Sequence, residues 1–330
     1  MEWLSILLFG IFIVAVYFGA QKIGELIGGS DKPGSAYSKQ QKAEWEERAR
    51  QSREIFEAAN PDSPPISETE HSEFAQWLGA QSKPAIRLDP AGSAPEANGQ
   101  AGPDGSRLGG PVWLEEGQAW PQSRKGNPME FIAQLDFNQL PELEGFPTTG
   151  ALQFFIPDDD DLWGMEMDEP IKSDVAVLYR PEGSPRNRHQ QTAQRPPDES
   201  ITPFLNETVR QAGVALAGAA IEDVMPSNIW ELDARIEGNL RRPGFERWDD
   251  LIEANEEKRS LVHHAGGYPC FVQSDFRGPG SLDDYDTVLL RLTSDDHLQW
   301  GDVGEAHFLI RSADLAARDF SKVIFWWDCS

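Results

Sequence analysis

Leu108-Gly109-Gly110-Pro111-Val112-Trp113 is echoed further along the chain by His264-Ala265-Gly266-Gly267-Tyr268-Pro269-Cys270-Phe271. The segments downstream of each Gly-Gly are echoed as well. Phe131 opens Phe-Ile-Ala-Gln-Leu-Asp 21 residues after Gly110, and Val288 opens Val-Leu-Leu-Arg-Leu-Thr 21 residues after Gly267. A second pair comes next. Gly150-Ala-Leu-Gln-Phe-Phe-Ile156 matches Gly304-Glu-Ala-His-Phe-Leu-Ile310, 40 and 37 residues beyond the respective Gly-Gly. All these segments are short, apolar, rich in β-branched and aromatic residues, and bounded by Gly, Pro, Asn or Asp, which is the pattern of strands. A fixed order of elements repeated within one chain points to duplication. Two copies are too few for a solenoid. The expected product is an α+β fold with one internally duplicated, largely antiparallel sheet, barrel-like or strongly curved, with half-repeats at about 107–160 and 263–330 and covering helices.

The Gly-Gly pairs have two readings. Glycine supplies positive φ or lets another backbone approach closely, and the proline after it ends regular pairing. Together they mark a tight turn feeding a strand, or a backbone cradle for a ligand.

The wider pattern resembles a known family. His264-x-Gly-Gly-Tyr-Pro-x-x-x-Gln273, a Leu-rich strand, and Trp300-Gly301-Asp302-x-Gly304-x-x-x-Phe-Leu-Ile310 are similar to the C-terminal signature of the YwqG-like family. Leu108-Gly109-Gly110-Pro111, Trp120-Pro121, Phe131-Ile-Ala-Gln134-Leu-Asp136 and Gly150-x-Leu-x-Phe-Phe155 are similar to its N-terminal signature. The resemblance covers roughly residues 70–330. It implies a bacterial protein with a mixed α and β fold and an internally repeated sheet, and it implies little about activity. The motif residues are the candidate binding residues: Gly109, Gly110 and Gln134 in the first copy, and Gly266, Gly267, Tyr268, Gln273, Arg291 and Trp300 in the second. Arg291 stands where the first copy has Gln134, so any site should be asymmetric.

Net charge is −26, from 55 acidic against 29 basic side chains. Such a surface repels phosphate backbones, so a nucleic-acid partner is not expected. Asp158-Asp-Asp-Asp161 lacks the alternating ligands and turn glycine of a calcium loop and reads as a solvated loop after a strand; no metal or other cofactor is expected. Two cysteines, Cys270 and Cys329, cannot make a disulfide framework or hold a structural zinc alone.

Residues 3–19 are nearly unbroken apolar sequence, with Trp3 and Tyr17 placed as interfacial aromatics and Gly19 closing the run. No Lys or Arg precedes the run, and Phe18 spoils a cleavage site before Ala20, which argues against a cleaved signal peptide. Residues 1–27 are therefore expected to be an N-terminal transmembrane anchor. Lys22, Lys32, Lys39 and Lys42 all come after it, which places the N-terminus outside and the C-terminal domain in the cytoplasm. Reduced cysteines fit that compartment. Residues 28–70 read as a flexible segment with an amphipathic helix at 38–59, opened by Ser38 and stopped by Asn60-Pro61, and a polar linker. Residues 71–330 form the expected YwqG-like domain. With the N-terminal segments removed, about 260 residues remain, enough for one sizeable core.

Within that domain a short helix is expected at 72–78, a first strand at 85–88, a mobile loop at 89–106 and a strand at 175–179. Residues 181–200 read as a surface loop, 208–224, 230–240 and 245–261 as helices, and 322–327 as a buried last strand.

Four of the six histidines lie in the second copy: His263, His264, His297 and His307. The candidate acid–base set is His264, Asp302, Glu305 and His307, with Gln273 and Arg291 nearby. Alternation puts Glu305 and His307 on one face of a strand. If that face is interior, His307 is buried and must be hydrogen-bonded. No common catalytic motif is present. Two functions fit. One is a membrane-tethered cytoplasmic binding module taking a protein or ligand between the half-sheets, with Trp and Tyr exposed on a concave surface. The other is a hydrolase-type enzyme using the His and carboxylate cluster.

Overall fold

The computed structural model describes residues 67, 69, 72, 76–77, 79–90, 104–184, 201–226, 229–231 and 262–330. These belong to one unit, Ser67–Ser330. The expected anchor with Trp3, Tyr17 and Gly19, the helices at 38–59 and 245–261, most of the helix at 230–240 and most of the loop at 181–200 lie outside the described residues. Among the described residues no helix is long and apolar enough to cross a membrane.

Ten strands are present among those residues: β1 (Lys83–Pro90), β2 (Arg107–Leu108), β3 (Glu130–Asp136), β4 (Ala151–Ile156), β5 (Ala176–Arg180), β6 (Val214–Asp223), β7 (His263–Gly266), β8 (Thr287–Thr293), β9 (Glu305–Ile310) and β10 (Ile324–Asp328). They form one curled, half-barrel sheet in the order β10-β9-β8-β7-β1-β6-β2-β3-β4-β5, antiparallel at every pairing. The order is symmetric about the central β1–β6 pair. Each repeat therefore has five strands, the first of them a leading strand ahead of the Gly-Gly segment. The leading strands are exchanged. β1 pairs with β7 of the second repeat, Arg87 opposite His264, and β6 pairs with β2 of the first, Ala215 opposite Arg107.

β6 corrects a sequence expectation. Residues 208–224 read as a helix because their alanines and valines fall at near-helical spacing. The helix is confined to α1 (Glu207–Ala212), where the Asn206 side chain accepts from Val209 N at 2.9 Å and Gly213, at φ 77°, ends the run. Beyond it the period becomes two: Val214 and Leu216 are buried, and Ala215 and Ala217 face out. Alanine is apolar enough to occupy either side, so it blurs the alternation. Gly218 lets Leu140 pack closely, since a Cβ there would run into Leu140 Cδ2 and displace that side chain.

The duplication is visible at the level of single residues. The β3–β4 register shifts between Phe131 and Ala133, and the β8–β9 register shifts between Val288 and Leu290. These are the same positions of the two repeats. Each bulge reverses the alternation. Phe131 and Gln134 thus share the outer face, while Ile132, Ala133 and Leu135 join the common core; Arg291 likewise faces outward, with Leu289, Leu290 and Leu292 in the core. Phe154 and Phe308 occupy matching positions on β4 and β9. Their rings meet with centroids 5.0 Å apart, as residues close to a pseudo-twofold axis must. A packed apolar core, with Phe154, Phe308, Trp163 and Trp300 among its members, thus fills the space between the half-sheets.

Other segments reach both outer strands, and at β10 a side chain satisfies part of the open edge, which blunts its tendency to pair with other chains. Ser173 Oγ bonds to the amide of Phe325 at 3.0 Å and to its carbonyl at 3.1 Å, standing in for a strand beside β10. Phe320, just before β10, packs on Tyr179 of β5 with ring centroids 5.8 Å apart. Trp326 and Trp327 are half-buried, so the last strand is an edge strand rather than the fully buried one expected.

Candidate functional site: a buried polar cluster on the second repeat

The outer face of the second repeat is roofed by the loop after Gly266-Gly267, and the expected polar residues lie beneath it. His264 on β7 is opposite Arg291 on β8, which is opposite His307 on β9. Arg291 Nη2 donates to Glu305 Oε1 at 2.6 Å and its Nε donates to Oε2, while its Nη1 lies 3.1 Å from His264 Nε2. His264 Nδ1 lies 2.9 Å from the Gly266 carbonyl. A carbonyl only accepts and a guanidinium only donates, so His264 is a neutral ring carrying its proton on Nδ1. His307 Nε2 is 3.8 Å from Glu305 Oε2, a separation compatible with an ion pair, but the Cys270 amide donates to that same nitrogen at 3.1 Å. The nitrogen must therefore be unprotonated and the His307 ring neutral. Burial works against the Arg291 charge; Glu305, then Cys270, outweighs it and holds the guanidinium above its ordinary range. His264, Arg291, Glu305 and His307 are all 2 % exposed or less.

The first repeat solves the same positions with less charge. Gln153 stands where the second repeat has His307. Its Nε2 donates to the Trp113 carbonyl at 2.7 Å and to Gln134 Oε1 at 2.9 Å. Trp113 and Cys270 are themselves matching positions after the two Gly-Gly pairs. The same strand position thus pins the same loop position in both halves, with the polarity of the bond reversed. Arg107 replaces His264, bonds to the carbonyls of Gly105 and Pro111, and lies 5.3 Å from the centroid of the Phe131 ring. Burial, then the charge of Arg180, lowers its pKa to about 9 despite Asp104 and Asp136.

Several expected site residues fall elsewhere. Asp302 is exposed on the turn after Trp300 and does not join the cluster; its carbonyl is engaged by Ser330. Its place as second carboxylate on this face goes to Asp328 of β10, whose Oδ2 accepts from the Gln273 amide at 2.8 Å and whose pKa is raised, chiefly by burial. Gln273 itself is exposed and bonds to the Cys329 carbonyl. Trp300 is fully buried in the common core, and Tyr268 is buried beneath the Lys83 ammonium, 4.2 Å from its ring centroid. No Trp or Tyr among the described residues is exposed, contrary to the expectation of an aromatic-lined cleft. The acidic run is a solvated loop only in part, with Asp161 exposed and Asp158 buried. Asp158 is buried 3.7 Å from Arg210, Asp159 accepts from Ser123 at 2.8 Å, and Asp160 pairs with Lys125 at 2.8 Å. No set of three or more His, Cys, Asp or Glu among the described residues is placed to hold a metal.

The Gly-Gly pairs act as turns under tight packing. Gly109 and Gly110 have φ of 55° and 79°, and Gly266 and Gly267 have φ of 73° and 68°. A Cβ on Gly109 would lie 2.6 Å from the Val209 carbonyl oxygen, and one on Gly110 would lie 2.9 Å from that of Ala212. The space a ligand would need is filled by α1 at the first pair, and by Leu143, Pro84 and Asp223 at the second. Gly109→Ala is accordingly expected to cost about 3 kcal/mol, combining left-handed backbone strain with a backbone clash. Gly117→Ala, at φ 83° with nothing within 4 Å, should cost only about 1 kcal/mol. Denaturant midpoints of the two variants check this.

A second charged node leaves no mark in the sequence. Arg210 of α1 reaches back to Glu130 of β3 through its Nε and to Asp158 at 3.7 Å, with all three 2 % exposed or less. Two carboxylates share one buried guanidinium. Burial, only partly offset by Arg210, pushes Glu130 up from 4.5 to about 7. The folded state therefore holds this proton more tightly than the unfolded chain does. The resulting stability is fully present below about pH 4.5 and is lost as pH rises through about 7. Glu130→Gln mimics the protonated form. It should match the parent in acid and exceed it by about 3 kcal/mol at pH 8. Urea melts of both proteins from pH 5 to 8 test this, and a variant less stable than the parent at every pH would contradict it.

A search among curated proteins finds no match. Residues 106–329, about two-thirds of the chain, match the domain of unknown function DUF1963. The match begins at β2 and so leaves out β1, although β1 lies at the centre of the sheet. The chain belongs to the DUF1963 family.

Proposed function

We propose that this protein is a YwqG-like bacterial binding module, tethered to the membrane by residues 1–27 with its C-terminal domain in the cytoplasm, and that it recognises a protein partner. The observation that carries this reading is the commitment of both candidate histidines. His264 uses both ring nitrogens inside the fold, and His307 Nε2 is occupied by a backbone amide. An acid–base catalyst needs a ring nitrogen within reach of substrate. The enzyme reading is therefore the weaker one. Cross-linking in membranes and recovery of the full chain should return a partner protein that is lost when residues 61–330 are removed. Recovery by the N-terminal segment alone would count against the module. A reporter fused after Ser330 that is active only outside the cytoplasm would overturn the orientation.

A further inference from the structure

Seven large apolar side chains among the described residues are exposed, and they are not scattered. Leu162, Met167 and Ile171 lie on the β4–β5 loop, Val303 on the β8–β9 loop, and Ile201 and Leu205 on the segment leading to α1. The three segments are tied together around a nest of tryptophans. Trp163 packs on Trp300 and Trp327 with centroids 5.2 and 4.9 Å apart. Trp163 Nε1 donates to the Ile201 carbonyl at 2.9 Å, and Trp327 Nε1 donates to the Leu162 carbonyl at 3.2 Å. The Gln299 amide donates to the Pro203 carbonyl at 2.7 Å, and the Leu205 amide to that of His297 at 3.0 Å. Six of the seven exposed apolar residues thus lie on the three segments that meet here, rather than being spread over the other loops of the sheet.

Two further observations bear on this end of the sheet. Trp163 and Val303 hold φ of 48° and 53°, two of the four non-glycine residues in the left-handed region among those described; the others are Leu282 and Arg318, the latter in the symmetry-related loops. A β-branched residue there is a true outlier, and such strain persists only where the surrounding structure over-determines it. The symmetry-related loops, 137–150 and 311–323, carry no exposed large apolar residue; Arg318 closes them through the carbonyls of Gly145 and Phe146 at 2.8 and 3.2 Å. The asymmetry between the repeats is therefore strongest here, on the surface rather than in the polar cluster.

The same loops are acidic. Asp161, Asp168 and Asp302 are exposed among the apolar residues, while Glu166 and Glu169 are paired with Arg124 and Lys172. We infer that this surface docks a basic amphipathic segment of a partner protein, with its apolar anchors on Leu162, Met167 and Val303 and its Lys or Arg side chains against the flanking aspartates. Exposed methionine suits such a surface because it adapts to differing side chains. Anionic lipid is disfavoured by the same aspartates. The inference rests on the binding-module reading and names the surface and the partner chemistry.

The test is selection of a random peptide library on the full chain, then affinity measurement of an enriched peptide. The Leu162→Ser/Met167→Ser double variant alters side chains 39 % and 64 % exposed, so folding should survive. Enriched peptides should carry Lys or Arg around aromatic or aliphatic anchors, weaken in high salt, and lose about tenfold or more in affinity for the double variant. Val224→Ser, exposed but outside these loops, should change affinity by less than about twofold. Enriched peptides that are acidic, or that bind the double variant unchanged, would overturn the surface while leaving a binding module standing. A dimer, or binding to vesicles of anionic lipid, that is lost in the double variant would assign the surface to another occupant. No enrichment together with no cross-linked partner would overturn both.

Discussion

A chain that begins at Asp104 is expected not to fold, although it retains the whole of residues 106–329 that match the family. β1 is bonded along both sides, by eight residue pairs to β6 and four to β7. Without it the sheet order breaks into β10-β9-β8-β7 and β6-β2-β3-β4-β5, with two raw edges in place of one continuous sheet. Ile86 and Leu88, each 1 % exposed, also leave the core. Each contributes about 1.5–3 kcal/mol of burial, a large part of the roughly 5–15 kcal/mol that holds an ordinary domain together. Near-ultraviolet circular dichroism should collapse and the fragment should aggregate through its open strands. A fragment with a cooperative unfolding transition within about 1 kcal/mol of the full chain would refute the exchanged-strand architecture.

Arg291→Ala carries the second largest expected effect. It leaves the Glu305 carboxylate buried and unpaired and removes a donor to His264, so the cost should be about 3–5 kcal/mol. The first repeat suggests the rescue. It places Gln134 and Ala151 where the second has Arg291 and Glu305, in the same register and on the same face. Arg291→Gln combined with Glu305→Ala removes both charges together, and it should recover more than half of the loss. Thermal or urea unfolding of the single and double variants decides the matter. A double variant as unstable as the sum of its parts would show that the two residues do not act as a pair.

The duplication is legible in the sequence because Gly-Gly and the next two strands keep nearly constant spacing, and the shared bulge explains why. Each bulge puts two apolar residues in succession into the core, so Phe-Ile-Ala-Gln and Val-Leu-Leu-Arg look alike in sequence although one faces glutamine and the other arginine outward. The leading strands are harder to read. Of β1 only the stretch 85–88 has a strand pattern, and β6 reads as a helix because alanine carries almost no directional signal. Exchange between repeats leaves no local trace, since pairing partners 100 or more residues apart are not encoded in spacing; Arg87 opposite His264 is such a pair. Of the candidate site, His264, Arg291, Glu305 and His307 come together because strand alternation and register place them on one face. Asp302 looks equally close in sequence, but it comes after Trp300 and Gly301 around a turn and ends in solvent. Asp328 and the Arg210–Glu130 node are invisible, because each arises from contact between elements far apart in the chain. The exposed apolar loops are hidden for a similar reason: Leu162, Ile201 and Val303 are ordinary singly and acquire meaning only where their segments meet.

On this view the histidine cluster braces the roofing loop and leaves recognition to the surface. Nitrogen-15 NMR of the His264 and His307 rings at neutral pH tests it. Both rings should be neutral, with the proton on Nδ1 and Nε2 bare. An imidazolium ring, or a protonated Nε2 exchanging rapidly with water at either position, would contradict it and return the cluster to candidacy as an active site.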